Sequence, residues 1–169
     1  TKIAQGFTDL QLTPFGKPLA FLQERLPRSL LQHHKDGKLF SSDGKTKLDL
    51  DTNQPLWVWE GFADADTTDD PTKSLVYYPQ RFNSNNHGGK TKQQLLNEDK
   101  GWNILLLESD PTIPREGQGK TTKERKRLEA NKTPNEYLAL FQGNPSTSSG
   151  NNPYAHESGM TPEDWIVRF

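Results

Sequence analysis

The longest apolar block of the chain, Trp102-Asn103-Ile104-Leu105-Leu106-Leu107, is too short for a helical core and rich in strand formers. It predicts a buried strand that runs to Ser109. Leu56-Trp57-Val58-Trp59-Glu60-Gly61-Phe62 reads as a second strand, and Ser74-Leu75-Val76-Tyr77-Tyr78 as a third that Pro79 ends. Elsewhere the apolar positions are spaced three and four apart. Leu19, Leu22 and Leu26 form one stripe and predict a helix over 18–34, interrupted at Pro27. Further helices are expected over 91–98, 121–131 and 134–142. The last of these opens with the capping-box pattern Thr133-Pro134-Asn135-Glu136 and ends at Gly143-Asn144-Pro145. Turn clusters at Asp36-Gly37, Ser41-Ser42-Asp43-Gly44 and Asp51-Thr52-Asn53 bracket a hairpin around a polar strand from Lys45 to Asp51.

These elements place the chain in the α/β or α+β class, with a small mixed β-sheet packed against several short helices and joined by long polar loops. A length of 169 residues fits a single domain. Residues 145–158, rich in Ser, Asn and Gly, read as a flexible loop. Thr161-Pro162-Glu163-Asp164 is a well-capped helix start, with Trp165, Ile166 and Phe169 on one apolar face. The chain stops about two turns later, so that helix either docks firmly or is the start of a longer one in a longer protein.

Composition narrows the function classes. Only 30% of residues are apolar, so burial is thin and a partner that covers part of the surface is a natural expectation. There is no cysteine, which excludes disulfides, thiolate metal sites and a cysteine nucleophile. No run approaches the roughly 18 apolar residues of a membrane span, which predicts no membrane partner and a cytoplasmic protein. The net charge is −1, but it is unevenly spread: from Arg115 to Lys132 seven Lys/Arg face three Glu, a local excess of +4. If 121–131 is helical, Lys123 and Arg127 share a face with Lys120 near its edge, so Arg115, Lys120, Lys123 and Arg127 are the expected contact residues for an acidic protein surface or nucleic acid.

Other motifs point to phosphoryl chemistry. Gly117-Gln118-Gly119-Lys120-Thr121 has the glycines, lysine and hydroxyl of a phosphate-binding loop, yet Pro114 stands where the first glycine belongs and has no N–H to donate. Asp64-Ala65-Asp66-Thr67-Thr68 follows a predicted strand and resembles the DxDx[TV] motif of haloacid-dehalogenase-like phosphatases. That resemblance implies Asp64 as nucleophile, Asp66 as acid/base, Ser109 as the phosphate-orienting hydroxyl, Lys120 as the basic partner and Mg²⁺ as cofactor. The family's later acidic pair for Mg²⁺ is missing from the pattern. Asp64, Asp66, Asp69 and Asp70 are also the candidate ligands for a hard cation, although the loop lacks the glycine and distal glutamate of an EF-hand. His33 and His34 are adjacent on a predicted helix and diverge, so they do not form a metal pair.

The expected function is therefore a non-enzymatic binding or interaction module that uses the basic segment 115–132, without a cofactor. The alternative is a metal-dependent phosphoryl-transfer enzyme built on Asp64 and Asp66.

Overall fold

Threonine caps start three of the helices in the computed structural model, which describes residues 1–41, 44–53, 65–68, 74–82, 86–98, 101–110, 112–143 and 152–168. Among these residues the architecture is α+β: four helices and small antiparallel sheets of two strands each, with no barrel. The chain divides into two compact units. One contains Thr1–Leu12, Val76–Lys90 and Ile104–Gly159, the other Thr13–Leu75, Thr91–Asn103 and Met160–Phe169.

After a 3₁₀ turn at Ile3–Gln5, Gly6 takes a left-handed φ of 99° and the chain enters β1 (Phe7–Pro14). This strand pairs with β4 (Trp102–Glu108), the predicted central strand. The Ser109 N–H donates to the Gly6 carbonyl at one end and the Phe15 N–H to the Gly101 carbonyl at the other, at 3.3 and 3.0 Å. The start of β1 thus lies beside the end of β4.

In the second unit, α1 (Leu19–Lys35) buries Leu19 and Leu22 and packs against α4 (Pro162–Arg168). The expected break at Pro27 does not occur. Proline removes one backbone hydrogen bond, but the leucine stripe continues past it and docking on α4 outweighs that loss. Phe40 and Lys47 form an antiparallel bridge, the expected hairpin reduced to its closing pair.

Helix α2 (Lys92–Asn97) starts at a complete capping box. The Gln94 N–H donates to the Thr91 hydroxyl, and the Thr91 N–H to the Gln94 side chain. Helix α4 uses the same device with Asp164 in place of Glu or Gln, since the Thr161 N–H donates to Asp164 Oδ2 and the Asp164 N–H to Thr161 Oγ1. The face of α4 that turns inward is not the apolar one expected. Glu163 and Asp164 are buried and Trp165 is 57% exposed, because Glu163 accepts from the buried Lys92 ammonium at 2.8 Å and Asp164 accepts from the Asn103 amide. Lys92 also donates to the Lys17 carbonyl and lies 3.6 Å from Asp66, whose other task is to accept the Leu19 N–H at the start of α1. A buried ammonium is tolerated only with such partners.

Val76–Tyr77 (β2) pairs with Lys90–Thr91 (β3), a shorter strand than the expected 74–78. The close approach needs Gly89, where a Cβ would meet the Tyr77 carbonyl at 2.6 Å. The expected helix over 121–131 is absent. Thr121–Thr122 (β5) and Arg125–Lys126 (β6) form an antiparallel hairpin whose two-residue turn, Lys123-Glu124, has φ values of 48° and 66°. Helix α3 (Pro134–Gln142) follows as expected, capped by Thr133 and Glu136. The strand expected at 56–62 and the loop residues 145–151 lie outside the described residues.

Candidate functional site

Strands β1 and β4 alternate between an inward and an outward set, as pleating requires. On β1 the inward set is polar: Gln11 and Thr13 are buried and Asp9 half-buried. On β4 the inward set in the first unit is Leu105 and Leu107. The outward positions of that unit are Thr8, Leu10 and Leu12 on β1 and Ile104 and Leu106 on β4. Their large apolar members are 68, 54, 66 and 39% exposed in that order. A half-buried antiparallel sheet ordinarily turns its apolar set inward. Here β1 does the reverse, and the outer face of the ribbon carries four exposed aliphatic side chains, with Glu108 next in the same alternation and held in ion pairs with Arg125 and Arg127. Trp102, on β4 in the second unit, is also exposed.

The inner side of the ribbon explains the reversal. Phe7 carries the Arg125 guanidinium over its ring at 4.7 Å, and Tyr154 faces the same cation at 5.5 Å. Arg125 donates through Nε and Nη2 to Glu157 and through Nη1 to Glu108 Oε1 at 2.5 Å. Burial alone disfavours the charge of Arg125, but Glu157 and Glu108 more than offset it and hold the guanidinium above its ordinary pKa. The chain of charges extends at both ends. Lys2 pairs with Glu157 at 2.5 Å, while Arg127 joins Glu108 at 3.0 Å to Asp110 at 2.7 Å. Backbone and side-chain hydrogen bonds from Thr112, reinforced by Arg127, hold the Asp110 carboxyl below its ordinary pKa.

This network consumes part of the basic segment. Arg127, expected as a contact residue, spends its guanidinium on Glu108, Asp110 and the carbonyls of Asp110 and Thr112. Lys126 pairs with Glu129 at 2.8 Å. Arg115, Lys120 and Lys123 are exposed, with Lys123 in the hairpin turn. Two of the segment's seven cations, Arg125 and Arg127, are therefore met by carboxylates from outside it, and the helical face that was to align Lys120, Lys123 and Arg127 does not form.

The glycine loop also has an internal anion. Glu129 Oε1 accepts the Gly119 N–H at 2.6 Å, and a Cβ at Gly119 would collide with the Arg127 carbonyl. The backbone donor that would serve a phosphate is given to a carboxylate of the same chain.

Of the residues expected for phosphoryl chemistry, Asp66 is buried, bound to the Leu19 N–H and close to Lys92. Asp64, Asp69 and Asp70 lie outside the described residues. Ser109 ends the ribbon as an exposed residue whose N–H is bound to Gly6. Among the described residues no three acidic, histidine or cysteine side chains gather in a metal-binding group. No helix is long and apolar enough to cross a membrane.

Sequence reasoning missed β1 and with it the outer face. The signal was present: Asp9 to Thr13 alternates strictly between polar and apolar around Leu10 and Leu12, between Gly6 and Pro14. Compared with known proteins, this chain matches no family model, no curated protein and no solved structure.

Proposed function

We propose that this protein is a non-enzymatic interaction module whose contact surface is the outer face of the β1–β4 ribbon, formed by Leu10, Leu12, Ile104 and Leu106. The observation that carries the reading is the exposure of these four side chains on one face of the ribbon. Contiguous exposed apolar surface of this kind marks interaction sites, whereas scattered single residues do not. Burying each such side chain is worth about 1.5–3 kcal/mol when complete, so a partner that covers the face gains a substantial driving force. The chemistry favours protein over nucleic acid. Phosphate contacts need unengaged cations, and Arg125, Lys126 and Arg127 are each tied to carboxylates.

The exposed cations Arg115, Lys120 and Lys123 then serve as rim charges, which influence encounter rate more than affinity. The test is site-specific photo-cross-linking in an extract, with the reactive side chain at Leu12 and, as a control, at Lys132. Cross-linked protein at position 12 and little at position 132 is the expected result. Equal labelling at both positions would remove the outer face as the contact surface.

A further inference from the structure

The second unit brings three charged side chains from three separate segments into one site that excludes water. Lys92 at the start of α2, Glu163 at the start of α4 and Asp66 from the 65–68 segment have side chains only 2, 0 and 4% exposed. The Lys92 Nζ lies 2.8 Å from Glu163 Oε1 and 3.6 Å from Asp66 Oδ2, with the centre of the buried Phe15 ring 5.6 Å away. That same Asp66 oxygen accepts the Leu19 N–H. The geometry points to a covalent cross-link: Lys92 and Asp66 condense to a side-chain amide, with Glu163 as the proton carrier. The ion-paired arrangement is the state from which the bond forms.

Each part of the site serves that reaction. A lysine attacks a carbonyl carbon only after its ammonium loses a proton, and Glu163 is within hydrogen-bond reach to take it. The amine then adds to Asp66 Cγ while the Leu19 N–H stays on Oδ2, a fixed donor for the charge that gathers there in the tetrahedral intermediate. The bond from Lys92 Nζ to Asp66 Cγ forms, and the bond from Cγ to Oδ1 breaks. Oδ1 leaves as water with the two protons that the ammonium gives up, one of them carried by Glu163. Nothing is oxidised or reduced. Exclusion of bulk water then protects the amide from hydrolysis.

The rest of the chain gives such a bond a structural use. With 30% apolar residues burial is thin, and a covalent staple adds what the core lacks. The usual staple is a disulfide, and this chain has no cysteine. Helices α2 and α4 have six and seven residues, lengths that are marginal alone. The amide ties the start of α2 to the residue that binds the first N–H of α1.

Intact mass spectrometry of the purified, denatured full chain tests the inference. The expected mass lies about 18 Da, one water, below the 19.2 kDa of the sequence. Proteolysis should yield a branched peptide that joins Lys92 to Asp66. Lys92→Arg keeps the charge and should show the full mass of its own sequence. Asp66→Asn should lose ammonia in place of water, a deficit of about 17 Da. Glu163→Gln should stay at full mass although both joined residues are present, with circular dichroism matching the parent, and Glu163→Asp should regain part of the deficit.

A parent chain at its full sequence mass overturns the inference. So does a deficit that persists in Lys92→Arg, which would mark a succinimide at Asp36-Gly37 or another aspartate. A branched peptide that joins Lys92 to any residue other than Asp66 overturns it as well. Cross-linking undiminished in Glu163→Gln would overturn the role given to Glu163.

Discussion

Arg125 and Glu157 form a two-point ion pair across 32 residues, with Nε to Oε1 at 2.6 Å and Nη2 to Oε2 at 2.7 Å. Their side chains are 2 and 6% exposed, so this is a desolvated pair and not a surface decoration. Such a pair contributes little over an apolar substitute, but removing one partner strands the other charge. Arg125→Met is expected to destabilise the protein by about 3–5 kcal/mol, read from the urea midpoint at an unchanged slope. Glu157→Gln should cost less, because Glu108 still neutralises Arg125.

Lys92 is the corresponding group in the second unit, with Glu163 and Asp66 as its carboxylate neighbours. Lys92→Met is expected to cost about 3–5 kcal/mol, since Glu163 would keep its buried charge. The double variant Lys92→Met/Glu163→Gln should recover part of that loss. A double-mutant cycle with a coupling energy near zero would show that the two residues act independently.

Glu129 should make stability depend on pH in the acid range. The side-chain hydrogen bond from Lys126 and the Gly119 N–H hold its carboxyl down at about 2, from an ordinary value of 4.5. A depressed folded-state value means a contribution fully present above about 4.5 that is lost as pH falls through about 2. Carboxyl-carbon NMR should show Glu129 titrating well below the other glutamates. Glu129→Gln should make the fall in stability over that window shallower than in the parent, leaving the share of other depressed carboxylates such as Asp110.

The hairpin turn offers a stabilising change. Lys123 and Glu124 both sit at positive φ, a region that costs a residue with a Cβ roughly 1–2 kcal/mol. Lys123→Asn with Glu124→Gly supplies the residues that two-residue turns of this kind prefer. The expected gain is about 1 kcal/mol in thermal or denaturant unfolding, with the ion pairs of Arg125 undisturbed. A loss of stability would show that the turn side chains have contacts worth more than the backbone strain.

Helix starts were legible in the sequence because capping is local chemistry. Thr91, Thr133 and Thr161 each sit three residues before a side chain that can reach back, and each opens a helix. Strand β4 was legible for a similar reason: its run of Ile and Leu has no other stable home. The segment 121–131 was misleading because Lys, Arg, Glu, Leu and Ala are good helix formers, and propensity sees only neighbours. Its true conformation depends on Glu108 and Glu157, which lie 17 and 32 residues from Arg125.

Spacing and short-range hydrogen bonding alone narrowed the class to α/β or α+β and located three capped helix starts and the strand at 102–108, although that strand lies in a two-stranded sheet and is not a central one. Where the charges go and which faces turn out depend on contacts between residues far apart in the chain. Arg127 is a contact residue by sequence, yet Glu108 and Asp110 claim it, and the strand that carries Leu10 and Leu12 was missed, with Arg125 and Phe7 beneath it. An ion pair satisfies its desolvation cost through whichever opposite charge the fold brings near, and that distance is set in space and not along the chain.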